Sequence, residues 1–388
     1  MQGFEFNTVA RIINGAGSAL ELASQCRHLA VQRPLVVTDP GLMAIGLVQP
    51  VLAALEQAGL APLVFDQVRE DPPEATVQAA TDVARAGGVD GVIAVGGGSS
   101  MDVAKVVAVL LGGTQTLSEL YGVGQVSGKR LPLILVPTTA GTGSEVTPVA
   151  VITTGETTKA GVSSPVLLPD VAVLDAALTL GLPPAVTAMT GVDAMVHAIE
   201  AYTSRHKKNP LSDSLAIHAL QLLSRNIRTA VLEGSNQQAR ENMLLGACLA
   251  GQAFANAPVA AVHALAYPLG GHYHIPHGLS NSLVLPSVLE FNAPEASALY
   301  AELAEVVIGA SVAGSIEAKT AALIAALREL IADVALPATL QLAGVKEQDL
   351  ELLASDAMLQ QRLLVNNPRD VAYEDALAIY QAAYGAVA

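Results

Sequence analysis

The chain changes its hydrophobic rhythm about halfway along. In the first half, short unbroken apolar runs alternate with segments whose apolar positions recur every three or four residues. PLVVTD (34–39), APLVFD (61–66), GVIAVG (91–96) and LPLILVPTT (131–139) are runs of the first kind. A run without polar alternation predicts a strand covered on both faces. Between them, LVQPVLAALEQAG (47–59), EATVQAATDVARAG (74–87) and MDVAKVVAVLL (101–111) carry helical spacing. Strands alternating with helices predict an α/β N-terminal domain with a parallel sheet. Beyond the prolines of LPDVAVLDAALTLGLPP (168–184) nearly everything reads as helix, including 187–204, 212–231, 239–254, 295–309 and 316–334. These segments predict an all-α C-terminal domain. The boundary is expected near residue 182, giving domains 1–182 and 183–388, and 388 residues suit two cores better than one.

Composition narrows the class. The chain is 52% hydrophobic and 14% charged, as in globular proteins. Twenty basic residues against thirty-five acidic ones leave a net charge of −15, which argues against nucleic acid or an anionic membrane as partner. It leaves room for an anionic cofactor held by backbone amides. Two cysteines far apart, Cys26 and Cys248, predict no disulfide framework and suit the cytoplasm. The N-terminus has no signal-peptide pattern, and no apolar run reaches the roughly 20 residues that span a membrane.

Two loops are candidates for ligand binding. GGGSSMD (96–102) follows a strand and opens a helix, so its glycines permit close approach and its first amides could hold a phosphate. Its spacing departs from GxGxxG at Met101, Ser99 or Ser100 could instead cap the helix, and a plain tight turn is the alternative. PTTAGTGSE (137–145) is a second loop of this kind after another strand. Two such loops at strand C-termini strengthen each other, because open α/β sheets bind ligands there. Asp39 ends a third strand and could accept both hydroxyls of a ribose; Asp39-Pro40-Gly41 is also a turn signal, and locally the turn is the stronger reading.

Metal-compatible side chains fall in the second half. In GVDAMVHAIEAY (191–202), Asp193 and His197 stand four residues apart on one helical face, among apolar neighbours. HALAYPLGGHYHIPHG (263–278) holds four of the eight histidines. His263 and Tyr267 share a helical face, Gly270-Gly271 is expected to end that helix, and His272, His274 and His277 follow. The spacing does not rank the four histidines as ligands.

Taken in order, GGGSSMDVAK, PTTAGTGSEVTP, GVDAMVHAIEAY and HALAYPLGGHYHIPHG resemble the motifs of the iron-containing (group III) alcohol dehydrogenase family over essentially the whole chain. The resemblance implies an N-terminal dinucleotide-binding domain, an all-helical C-terminal domain and an active site in the cleft between them. It implies Asp193, His197, His263 and His277 as ligands of a divalent metal, Fe(II) with Zn(II) as the alternative, and reads His272 and His274 as cleft or surface residues. It implies NAD as cofactor. Gly97, Gly98 and Ser99 would hold the pyrophosphate with Asp102 nearby, and Thr138, Thr139 and Thr142 would line the adenine and ribose. Lys159 would sit near the nicotinamide ribose and Asp71 near the adenosine, with Asp39 favouring NAD over NADP. Where many members carry a second histidine one turn after the third ligand, this chain has Tyr267, a poorer base.

The implied reaction is hydride transfer between a small primary alcohol or aldehyde and NAD(H), in a homodimer or higher homo-oligomer. Phe254, Val262 and Tyr267 would line an apolar cleft. Maleylacetate reductases, hydroxyacid–oxoacid transhydrogenases and dehydroquinate-synthase-like lyases are the alternatives. The full Asp/His set disfavours the first, and the lack of Lys or Arg over 248–280 disfavours the last.

Overall fold

The computed structural model describes residues 3–155 and 158–385. It divides into two compact units, Asn7–Leu180 and Gly181–Ala388 together with Met1–Phe6.

Among the described residues the first unit has nine strands: β1 (Arg11–Asn14), β2 (Pro34–Val37), β3 (Leu63–Phe65), β4 (Gly91–Gly96), β5 (Gly122–Val123), β6 (Leu133–Pro137), β7 (Val149–Thr154), β8 (Thr158–Ser163) and β9 (Val171–Leu174). Six form one sheet in the order β1-β9-β6-β4-β2-β3, every pair parallel. The residues of β2, β4, β6 and β9 are buried throughout, which is why these strands read as unbroken apolar runs. Leu35 and Val37 join a core with Val77, Ala80 and Val103 from the helices Glu74–Gly87 and Gly98–Gly112. Val36, between them, joins a separate core with Leu22, Val51 and Leu55. Alternate residues of one strand thus serve opposite layers of helix. A small second sheet, β5-β8-β7, includes the antiparallel pair β7–β8, which the sequence pattern did not announce.

The strand order fixes where a ligand can bind. From β2 the chain moves outward to β3, then crosses back to β4 and continues to β6. Open α/β sheets bind ligands beyond the strand C-termini at such a reversal. Here that point lies between β2 and β4, paired through Val37 and Ala94, so Asp39 and Gly96–Gly98 flank it.

The second unit is helical. Its long helices are Pro184–Thr203, Pro210–Leu232, Gln237–Asn256, Ala261–Tyr273, His277–Ile308 and Ile316–Asp333; Leu350–Ala357, Gln361–Leu364 and Tyr373–Tyr384 are shorter. Several starts are coded locally. Asn209 accepts the Ser212 amide and Asn236 the Ala239 amide, each at 3.0 Å, and proline occupies the first turn at 184 and 210. The helix Pro184–Thr203 is buried continuously from Gly191 onward and packs against Pro210–Leu232, Gln237–Asn256 and His277–Ile308. Among the described residues no single helix is long and apolar enough to cross a membrane.

Two helix limits differ from expectation. Gly270-Gly271 does not end its helix; the helix runs to Tyr273, and His274 closes it in the left-handed region at φ 53°. His272 is therefore helical. The helix expected at 295–309 begins at His277 and runs through Pro286 and Pro294. In both, packing outweighs local breakers: Leu265 and Leu269 on one helix, and Leu283 to Leu285 with Val288 and Leu289 on the other, are fully or nearly fully buried.

Candidate metal centre and nucleotide loops

In the helical unit, three imidazoles surround one carboxylate oxygen. Asp193 Oδ1 lies 3.6 Å from His277 Nε2, 3.8 Å from His263 Nε2 and 4.0 Å from His197 Nε2. Asp193, His263 and His277 offer ligand atoms that all lie within 4.8 Å of one another. The rings of His197 and His263 stack at 4.7 Å, and Phe254 stacks on the other side of His197 at 4.3 Å. Asp193, His197 and His263 are buried, whereas the His277 side chain is 37% exposed, so the cluster opens on that side.

Three segments meet to make this arrangement. Asp193 and His197 project from one face of Pro184–Thr203, one turn apart. His263 stands in the first turn of Ala261–Tyr273, and His277 begins His277–Ile308. The approach of the last helix depends on Gly278: a Cβ there would lie 2.2 Å from the Met189 carbonyl oxygen. The absent side chain lets this helix start touch the backbone carrying Asp193, which delivers His277 to the carboxylate.

Asp193 is held in its ionised form. Burial works against ionising Asp193, yet His197, His277 and His263, with a hydrogen bond from Asn281, outweigh it and hold the carboxyl below the usual carboxylate range. Asn281 adds a geometric sign. Its Nδ2 donates to Asp193 Oδ1 at 2.6 Å and also lies 3.3 Å from Nε2 of both His263 and His277. An amide nitrogen has two hydrogens and cannot serve three acceptors fully. Asn281 Oδ1 is buried with no hydrogen-bond partner among the described residues. Acceptors converging from one carboxylate and imidazoles form a donor set that fits Fe(II) or Zn(II).

Outside the cluster, Glu200 accepts the Val262 amide at 2.7 Å and meets His263 Nδ1 at 2.6 Å. Glu200 and Asn281 escaped the sequence reading, although both carried a signal. Asp193, His197 and Glu200 stand at i, i+4 and i+7, and Asn281 is four residues after His277, so each shares a helical face with a candidate ligand. Tyr267 is half-buried with its ring 5.8 Å from that of His277. Phe254 is half-buried, whereas Val262, expected beside it in a cleft, is 1% exposed and packed into the interior. His272 pairs with Asp356 at 2.6 Å and His274 is exposed; neither joins the cluster.

In the α/β unit the candidate site is made of backbone. The helix Gly98–Gly112 is capped by Gly97, and no described side chain bonds its first amides. Neither Ser99 nor Ser100 is the cap. A Cβ at Gly98 would meet Thr142 Cγ2 at 2.9 Å, so this glycine lets the second loop pack on the first. Thr139 and Thr142 are partly exposed and Thr138 is buried, its amide bonded to Gly96 O at 3.0 Å. Beneath the loops lies a buried ionic cluster. Lys105 Nζ donates to Ser144 Oγ (2.8 Å), Thr147 Oγ1 (3.1 Å) and Val149 O (2.7 Å). Asp102 accepts Ser144 Oγ–H at 2.7 Å and the Val151 amide at 2.9 Å. One Asp102 oxygen thereby ties the first loop to the second, and the other ties it to β7. Burial pushes Lys105 down to about 8 and Glu145 up to about 7.

Asp39 Oδ1 accepts the Leu42 amide at 2.9 Å and caps a short helix at the end of β2. Lys159 and Asp71 form an ion pair at 2.6 Å.

Comparison with known proteins agrees with this chemistry. Residues 9–176 match the family described as iron-containing alcohol dehydrogenase, and residues 187–384 match the C-terminal region of the same family. This chain belongs to the iron-containing alcohol dehydrogenase family. It is 44% identical to a long-chain-alcohol dehydrogenase of Geobacillus thermodenitrificans, with 97% of each chain covered. The crystal structure of a 1,3-propanediol oxidoreductase superposes with a TM-score of 0.95 at 36% identity, covering 99% of this chain and 100% of that one. A sulfoacetaldehyde reductase from Bifidobacterium kashiwanohense, solved in complex with NAD+, gives a TM-score of 0.88 at 30% identity over 98% and 99% of the two chains. As a member of this family the chain is an NAD-dependent oxidoreductase of the alcohol–aldehyde class that uses a divalent metal.

Proposed function

We propose that Asp193, His197, His263 and His277 together hold one divalent cation, Fe(II) or Zn(II), and that the enzyme interconverts small uncharged primary alcohols and aldehydes with NAD(H). The observation that carries this reading is the gathering of three imidazole Nε2 atoms within 4.0 Å of Asp193 Oδ1. A cation held there supplies Lewis-acid polarisation of the substrate oxygen, and NAD supplies the hydride acceptor. The Asp193 carboxylate offsets part of the cation's charge, which favours release of the product carbonyl. Phe254, stacked on His197, shields that flank from water. Residues 248–280 contain no Lys or Arg to pair with an anionic group, so an uncharged substrate suits the cluster.

On this reading, residues 1–182 bind the nucleotide and residues 183–388 carry the chemistry. Gly97, Gly98 and Ser99 hold the pyrophosphate at the start of the helix, and Thr138, Thr139 and Thr142 line the adenine and ribose. Asp39, at the reversal of strand order, accepts the adenosine ribose hydroxyls and repels a 2′-phosphate. The enzyme works in the cytoplasm as a homodimer or larger homo-oligomer. The test is a panel of alcohols and aldehydes assayed with NAD and NADP, on protein as purified and on protein stripped of metal. The expected result is activity on uncharged primary alcohols, a strong preference for NAD, and loss of turnover on stripping. Full turnover by the stripped protein, or equal efficiency with both nucleotides, would remove the corresponding part of the proposal.

A further inference from the structure

We propose that Glu200 is a positioning residue of the metal centre: it holds a proton on His263 Nδ1, so that His263 Nε2 presents its lone pair to the cation. The inference rests on the ligand assignment proposed above and adds a residue to it.

Both carboxylate oxygens of Glu200 are committed. Oε1 accepts the Val262 amide at 2.7 Å and Oε2 meets His263 Nδ1 at 2.6 Å, with Glu200 and His263 only 4% and 2% exposed. A backbone amide can only donate, so the bond to Val262 fixes the plane of the carboxylate and points its second oxygen at the neighbouring ring. A ring nitrogen facing a carboxylate carries the hydrogen, and a neutral imidazole then has its lone pair on the other nitrogen. The far side of the ring gives the same answer independently. His263 Nε2 lies 3.3 Å from the Asn281 amide nitrogen, which can only donate, and an accepting Nε2 suits that neighbour. One tautomer satisfies both ends of the ring. A carboxylate behind a ligating imidazole also raises its basicity, and such partners typically govern metal affinity by roughly 10–100-fold.

The same contact builds the segment. No described side chain within Ala261–Tyr273 caps that helix, and Glu200 supplies the missing acceptor from Pro184–Thr203. One helix therefore carries two ligands and the group that orients a third ligand on another helix.

The variant E200Q separates orientation from support. A glutamine keeps the volume but has one acceptor. With its oxygen on Val262, its NH2 faces His263 Nδ1 and selects the tautomer protonated on Nε2. Metal-free wild type and E200Q are titrated with Zn(II) against a chelating indicator, and melting of the metal-free proteins and NADH binding are measured alongside. We expect Zn(II) affinity to fall 10–100-fold in E200Q with NADH affinity unchanged. Affinity within twofold of wild type overturns the proposal. A second measurement needs no variant: histidine 15N–1H correlation spectra of metal-free wild type, recorded at a pH high enough for His263 to be neutral, are expected to show His263 Nδ1 protonated and Nε2 bare, and the opposite pattern overturns it. Failure of wild type itself to bind Zn(II) counts against the ligand assignment instead, and the spectra still decide the tautomer.

Discussion

The two candidate sites are made from different parts of the polypeptide. The loops of the α/β unit offer backbone amides, and their defining residues are glycines chosen for what they lack. The cluster in the helical unit offers four side chains whose positions depend on three helices. The difference teaches where each site is vulnerable. A backbone site fails when something is added, as a methyl group at Gly98 would be. A side-chain site fails when something is removed or when a helix is displaced. Each also has a carboxylate behind it: Asp102, half-buried, which ties the first loop to Ser144 and to β7, and Glu200, proposed to orient His263.

That contrast can be broken by mutation. The largest effect is expected from His277→Ala, which deletes a proposed ligand outright. Metal affinity should fall by about a thousandfold or more, given that loss of a residue one bond further out costs roughly 10–100-fold. NADH binding, measured by fluorescence titration, should persist; its joint loss would mean the two sites are not separately built. Next is Gly278→Ala. Its methyl group would lie 2.2 Å from Met189 O, so the helices must part. We expect about 2–3 kcal/mol of destabilisation in chemical denaturation, with weakened metal retention although every ligand remains.

Gly98→Ala tests the other side of the comparison. Its methyl would meet Thr142 at 2.9 Å, so the second loop must shift. Affinity for NADH should drop about tenfold, or about 1.4 kcal/mol, while metal content by elemental analysis stays at the wild-type level. The smallest effect concerns pH. Burial raises Glu145 to about 7 from an ordinary value of 4.5, so the folded state keeps a proton that the unfolded chain releases between these values. The stability from that proton is fully present below about pH 4.5 and is lost as pH rises towards about 7. Glu145→Gln should flatten this part of the melting profile; an unchanged slope would show that Glu145 is ionised throughout.

Legibility in the sequence follows the same division. The buried strands and long helices were readable because β2, β4, β6 and β9 are covered on both faces and the helical stripes repeat over many residues. The antiparallel pair β7–β8 was not, because its residues are of mixed exposure and lack an apolar run. The continuation of one helix past Gly270-Gly271 was hidden by residues whose local preference loses to tertiary packing. In the metal centre, the spacing of Asp193 and His197 placed them on one face, but nothing local separated His263 and His277 from His272 and His274. The fold separates them: Gly278 brings one pair member to Asp193, Glu200 holds the other, and Asp356 draws His272 away. Asn281 and Glu200 stood at readable helical offsets but are not themselves ligand candidates, so spacing alone gave them no role.

The central claim is that a single cation is held by side chains of the helical unit. Its most direct test is elemental analysis of anaerobically purified wild type beside Asp193→Ala, since Asp193 is the oxygen on which the three imidazoles converge. The account predicts close to one equivalent of iron or zinc per wild-type chain and next to none in the variant, with both proteins folded. Equal metal in the two proteins would contradict it.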